Sequence, residues 1–145
     1  MPYTKILIHA VWATKDRKPL MTKENRHSLC EHIREYCPTK NIHLININGW
    51  QEHLHCLLSL EPEQNIATLM NLIKGESSHW ANKNLQLPRT LGRGFGWQDE
   101  YFAVSVSESH SDVVNNYISN QEEHHRKKTF QQEYDEFIKN YKFTD

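Results

Sequence analysis

A charge excess of either sign is missing from this sequence: seventeen Lys and Arg stand against eighteen Asp and Glu, a balance of −1 over 145 residues. No global basic field announces a polyanion partner, so any nucleic acid has to be met by a local patch. Also missing is an apolar run near the roughly 18 residues of a membrane span, and the start, Met1-Pro2-Tyr3-Thr4-Lys5, lacks a leader pattern. Cysteine is scarce. Cys30, Cys37 and Cys56 make an odd count without zinc-ribbon spacing, and on one helix Cys30 and Cys37 would stand about 10 Å apart, too far for a disulfide. They read as reduced thiols, and the expectation is a soluble, untargeted, cytoplasmic protein. There is no internal repeat. One domain over 1–145 is expected, long enough to bury roughly two-thirds of its unfolded surface.

What is present is a clear alternation of periods. Tyr3 to Trp12 sets Ile6, Ile8, Ala10 and Trp12 on one side and Leu7, His9 and Val11 on the other, a central strand covered on both faces. A basic turn, Thr14 to Pro19, follows. Between Thr22 and Thr39, Leu29, Cys30, Ile33, Tyr36 and Cys37 form one helical stripe, ended by Pro38 and Asn41. Ile42 to Asn48 is a short β-branched strand, joined through Gly49-Trp50-Gln51-Glu52 to a further strand, so the two should form an antiparallel hairpin. Asn65 caps a predicted helix carrying Ile66, Leu69, Met70, Ile73, Ser77, Trp80 and Ala81. Asn84 to Glu100, with Pro88, Gly92, Gly94 and Gly96, reads as a long mobile loop. A strand at Tyr101 to Val106 follows, then a helix from a Ser109/Asp112 capping box to about Arg126, then a last helix opened by Thr129 and Gln132 and bearing Phe130, Tyr134, Phe137, Ile138 and Tyr141. The order β-α-β-β-α-β predicts an α+β, ferredoxin-like split β-α-β sandwich over 1–107: a four-stranded antiparallel sheet with two helices on one face. Residues 108–145 add C-terminal helices.

The stretch that carries chemistry is Gln51 to Leu60. Leu54, Cys56, Leu58 and Leu60 alternate with His53, His55, Leu57 and Ser59, so both imidazoles share a strand face about 6 to 7 Å apart and can converge on one cation. With ten histidines in the chain, one H-x-H is expected about 0.6 times by chance, so the spacing alone is a weak signal. Tyr117 and Gln121, four apart, share a helix face, and a phenol and a carboxamide so placed can face one metal-phosphate centre. Spacing alone favours the plainer reading, in which Tyr117 joins Val113, Val114 and Ile118 in the core.

Several ordered motifs together carry more weight. His53-Leu54-His55, Lys74-Gly75-Glu76-Ser77-Ser78, Ser105-Val106-Ser107 and Tyr117 through Lys127, with the opening Tyr3 to Lys18 and the Gly49 to His55 turn, closely resemble the single-tyrosine HUH transposases of bacterial and archaeal insertion sequences, including REP-associated tyrosine transposases. Leu54 is the residue between the two histidines. The resemblance implies that His53, His55 and Gln121 hold a divalent metal, Mg2+ or Mn2+. It implies that Tyr117 attacks a phosphodiester of single-stranded DNA at hairpin-bearing ends, leaving a 5′-phosphotyrosine and a free 3′-hydroxyl. Homodimers, in which one subunit's tyrosine helix completes the other's histidine site, are the family habit.

The implied chemistry is sound. A phenol near pKa 10 is mostly protonated at neutral pH, and a cation on the phosphate offsets charge developing there. A covalent intermediate stores the bond energy for rejoining. Imidazoles nevertheless favour transition metals over magnesium. Candidate DNA contacts are Lys74, Arg17, Lys18, Arg93, Arg126 and Lys127, and Trp50, Trp80 or Trp97 could stack on bases, Trp80 being better suited to the core. Phosphate binding by these groups predicts affinity that falls with salt. Rival readings are a domesticated endonuclease processing repeated palindromes, a non-catalytic module binding single-stranded nucleic acid on its open sheet, and a structural zinc site, which lacks a closed four-ligand set.

Overall fold

The computed structural model describes residues 2–88, 94–141 and 143. Strand β1, Ile6–Ala13, is buried along most of its length, as its two-sided apolar pattern requires. It starts later than its apolar alternation suggests, because Tyr3 has nothing to pack on and stands fully exposed. Helix α1, Lys23–Thr39, begins where the Thr22 hydroxyl accepts the Asn25 N–H, and it runs through Pro38 to end before Asn41, which takes a left-handed φ of 56°. Strands β2, His43–Gly49, and β3, His53–Leu60, form the expected hairpin, and Asn65 caps helix α2, Ile66–Asn84, by accepting the Thr68 N–H at 2.9 Å. Strand β4, Phe102–Val106, completes a sheet of order β2-β3-β1-β4, antiparallel throughout, so the first and third strands are central.

Helices α1 and α2 cover one face. Ala10, Trp12, Leu54, Cys56 and Leu58 point into that layer against Leu29, Ile33, Met70 and Ile73, all essentially solvent-free. At about 1.5–3 kcal/mol for each large apolar side chain, this layer carries most of the fold's stabilisation. The other face belongs to helices α3, Ser111–Ser119, α4, Gln121–His125, and α5, Phe130–Asn140. Ile118 meets Leu7 and Leu57, and Phe130 meets Val11 and Ala13. Both faces of the central strands are therefore covered among the described residues, which counts against the sheet-binding module. Among the described residues no helix is long and apolar enough to cross a membrane.

Three local expectations are corrected. The Ser109/Asp112 capping box does not form: Glu108–His110 is already a 3-10 turn, and Ser109 instead shares a hydrogen bond with Ser107, whereas a capping residue must be extended. The helix expected to reach about Arg126 breaks at Asn120. The Asn48 amide donates to the Ser119 carbonyl at 3.2 Å and the Asn46 amide to the Asn115 carbonyl at 3.2 Å, so bonds from β2 compete with the helical ladder. The described part of the predicted mobile loop, 94–100, is anchored. Asn82 clamps Phe95 through both its N–H, at 2.6 Å, and its C=O, at 2.9 Å, while Trp97 packs edge-on to Trp12 and donates to the Ser77 hydroxyl. Gly94 next to this clamp has φ +83°, and a Cβ there would lie 2.3 Å from the Asn82 oxygen.

Candidate active site

The hairpin sets the imidazoles. Gly49 lets the β2 backbone pass so close to β3 that an added Cβ would lie 2.1 Å from the His53 carbonyl. The turn is tied down by Thr14 N–H to the Glu52 carbonyl, Met21 N–H to Gln51 and Trp50 N–H to His53, all at 2.8–2.9 Å. His53 and His55 consequently project from β3 onto the face opposite the main core, and both are wholly buried under the C-terminal helices.

Opposite them stands a carboxylate that the periodicity reading had passed over. Glu133 lies on α5 between Phe130 and Phe137, and it is 1% exposed. Its Oε1 is 3.1 Å from His53 Nε2 and 3.0 Å from His55 Nε2. Its Oε2 accepts a hydrogen bond from the Tyr117 hydroxyl and lies 3.3 Å from His124 Nε2 and 3.5 Å from His125 Nε2. Tyr117 also touches His55, ring centroids 5.5 Å apart. The Tyr117 ring packs on the Leu7, Leu57 and Ile118 cluster, and its hydroxyl enters the polar centre.

Gln121 starts α4 and is fully buried, its Oε1 placed 3.0 Å from His125 Nε2 and its Nε2 without a partner. The phenol, the paired imidazoles and the carboxamide are thus brought together within one chain. His125, Glu133 and His9 are additions that sequence reasoning missed. A glutamate inside an apolar helical stripe was the available signal for Glu133. His125 falls within the Tyr117 to Lys127 motif with no role of its own, and His9 is a plain member of the Leu7 and Val11 face.

The electrostatics follow from burial. Desolvation first, then the neighbouring His55, holds His9 down at about 3. His55 sits at about 4, because desolvation outweighs the Glu133 hydrogen bond that favours its charged form. For His53 burial acts in the same downward direction, but hydrogen bonds to Glu133 and Glu52 prevail and the pKa is raised. Burial and the facing Glu133 carboxylate push the Tyr117 phenol well above its ordinary value. Glu133 is itself desolvated, yet hydrogen bonds from His125, His53 and His55 hold it ionised.

The candidate DNA contacts scatter. Lys74 gives its ammonium to the carbonyls of Gln98, 2.6 Å, and Asp99, 3.0 Å, on the α2 side of the sheet. Arg17 lies over the rings of Phe130 and Tyr134 and donates to Gln131 at 2.5 Å, pinning α5. Lys18, Arg126 and Lys127 are exposed, with Arg126 paired to Glu123 at 3.2 Å. Arg93 lies outside the described residues. Trp80 stacks on His32, and Trp50 lies between the Arg26 guanidinium and His125.

The sequence profile described as "Transposase IS200 like" matches residues 2–121. The chain belongs to the IS200-like transposase family. This transposase is 27% identical over 114 residues to the ISDra2 transposase TnpA of Deinococcus radiodurans, covering 78% of the chain and 81% of that relative. It is 30% identical over 70 residues to the transposase for insertion sequence element IS200 of Salmonella typhimurium, a match over 48% of the chain and about half of that relative, 46%. A crystal structure from Deinococcus radiodurans R1, described as a transposase, superposes with a TM-score of 0.64 at 26% identity over 83% of this chain and 93% of that one. A REP-associated tyrosine transposase bound to a REP hairpin superposes at 0.60, over 86% and 72%; at 15% identity that likeness speaks for the fold alone. The match to the family ends at residue 121, so His125 and Glu133 of this transposase lie beyond it.

Proposed function

We propose that this transposase cleaves and rejoins single-stranded DNA at hairpin-bearing element ends through a covalent 5′-phosphotyrosine on Tyr117, with a divalent metal. The observation that carries the reading is that the Tyr117 hydroxyl and the His53–His55 pair meet on the two oxygens of one buried carboxylate.

The residues present fit a metal ion. Gln121 Nε2 is buried without a hydrogen-bond partner, which in a dry site is costly unless something else satisfies it, and His53 Nε2 faces the Glu133 carboxylate at 3.1 Å. His125 donates through Nδ1 to the Lys128 carbonyl at 2.7 Å, so with a neutral ring its Nε2 is an acceptor. Gln121 then turns its amide N–H to that nitrogen and its oxygen into the unpartnered position, oxygen and nitrogen being interchangeable by a flip. His53, His55 and Gln121 would hold Mg2+ or Mn2+. An ion there supplies charge neutralisation at the scissile phosphate.

Within the chain itself, Glu133 Oε2 receives the phenolic proton as the Tyr117 oxygen bonds to phosphorus, and the departing 3′ oxygen takes a proton from solvent to become the free 3′-hydroxyl. A cavity of about 240 Å3 lined by His9, Val114, Tyr117, Glu133 and Phe137 gives access to that oxygen. Exposed Lys18, Arg126 and Lys127, with Arg17, Lys74 and Arg93, are proposed to meet backbone phosphates. A homodimer is proposed, each copy holding one strand, and the cis placement of Tyr117 supports attack within a protomer over exchange of the tyrosine helix.

Incubation with end-labelled single-stranded hairpin DNA and Mn2+ should give a protein–DNA adduct that survives denaturation, and Tyr117→Phe should give none. An adduct that persists in the Phe variant refutes the nucleophile.

A further inference from the structure

Three imidazoles in this site have their Nδ1 atoms already engaged. His53 Nδ1 donates to the Glu52 carboxylate at 2.8 Å, His125 Nδ1 to the Lys128 carbonyl at 2.7 Å, and His55 Nδ1 is paired with His9 Nε2 at 2.8 Å. Outer partners of this kind fix which ring nitrogen is left as a ligand. All three Nε2 atoms turn toward Glu133, lying 3.0–3.5 Å from its two oxygens. Protons shared across these contacts, that between His55 Nε2 and Glu133 Oε1 at 3.0 Å among them, occupy the positions that a single cation would take.

The spacing is that of ligands around a common small ion. Bonds of about 2.0–2.2 Å in a tetrahedral shell put neighbouring donor atoms about 3.3 Å apart. Glu133 Oε1 lies 3.1 Å from His53 and 3.0 Å from His55, and its Oε2 lies 3.5 Å from His125. One ligand atom from each of the four residues lies within 4.8 Å of every other, and all four residues are buried.

We propose that Glu133 and His125 join His53 and His55 in a four-donor site that takes an imidazole-preferring transition-metal ion, of the Co2+ and Zn2+ class, ahead of Mg2+. This rests on the metal-dependent reading above and deepens it by naming the ion class and two ligands contributed by the chain beyond the family match. Three nitrogens and one oxygen in a dry tetrahedral shell suit such ions, whereas Mg2+ requires a nearly octahedral oxygen shell with several waters. Gln121, whose contact is with the His125 Nε2 that the ion would take, then stands outside the four donors, in place of the ligand role it has in the metal-dependent reading.

The test is a titration of the purified full-length chain with Co2+, read by visible absorption, with Zn2+ and Mg2+ as competitors. The expected result is a strong tetrahedral-type visible band abolished by stoichiometric Zn2+ and unaffected by millimolar Mg2+. Glu133→Gln and, separately, His125→Ala should each weaken Co2+ binding roughly a hundredfold and alter the band, ligands mattering at least as much as their outer partners. Circular dichroism confirms that each variant is folded, and a collapse of one leaves the other to decide. Equal binding of Mg2+, or absence of the band, overturns the proposal. So does a His53→Ala variant that loses Co2+ while both of the other variants keep it, an outcome that leaves the nuclease reading and its Tyr117 adduct intact.

Discussion

Arg26 carries a buried positive charge that decides where α4 sits. The residue is 2% exposed; one guanidinium nitrogen donates to the Met21 carbonyl at 3.2 Å and the other to Glu122 at 2.9 Å, with the Trp50 ring 5.3 Å away. Glu122 follows Gln121 directly, so this pair holds the helix that positions both Gln121 and His125. Removing the partner of a fully buried charge costs about 3–5 kcal/mol. Glu122 is 30% exposed, and Met21 and Trp50 still serve the cation. The expected loss is therefore about 2–3 kcal/mol for Glu122→Ala and about 1–2 kcal/mol for Glu122→Gln, which keeps an acceptor. By urea unfolding, the alanine variant should lose roughly 1 M in midpoint at unchanged slope. The pH dependence supplies the stricter test. The hydrogen bond from Arg26, then that from His27, holds the Glu122 carboxyl down at about 2 against its ordinary 4.5. A depressed folded-state pKa gives stability that is complete above the unfolded value and is lost as pH falls through the folded one. The gap between wild type and Glu122→Gln should thus be full above pH 4.5 and close toward pH 2. A gap that ignores pH, or no gap, refutes the assignment.

Two further outcomes are expected. Gly49→Ala drives a Cβ into the His53 carbonyl and Leu54 at 2.1–2.9 Å. Backbone cannot yield cheaply there, so calorimetry should show a loss of about 3 kcal/mol, or roughly 10 °C in Tm, and an unchanged Tm contradicts the close approach. Burial lifts the thiols of Cys30 to about 12 and Cys37 to about 11, and raises Cys56 too. A thiol reagent at pH 8 should accordingly report almost no reaction until denaturant releases three groups, and rapid labelling of the native protein counts against this core.

The sheet and the first two long helices were legible because each buries a face of one period: Leu54, Cys56 and Leu58 alternate, while Leu29, Ile33 and Cys37 recur every helical turn. Asn65 and the Thr129/Gln132 box act within three residues of themselves, and both caps form. What escaped was set by distant partners. No glycine or proline marks the break at Asn120; amides of Asn46 and Asn48, some seventy residues earlier, compete for its carbonyls. His53, His55, Tyr117 and Gln121 were legible through the resemblance. Glu133 and His125 were not, because a glutamate or histidine on a short polar helix looks solvated until the sheet beneath it is known.

Of all the groups that line this centre, Glu133 is the last to be synthesised. The strands and their two covering helices can collapse while α5 is still being translated, and until it docks, the imidazoles and the phenol have no shared carboxylate. On the reading proposed above, a nascent chain holds the phenol and the histidine pair before the carboxylate that joins them, and the centre is whole only with the closing roof.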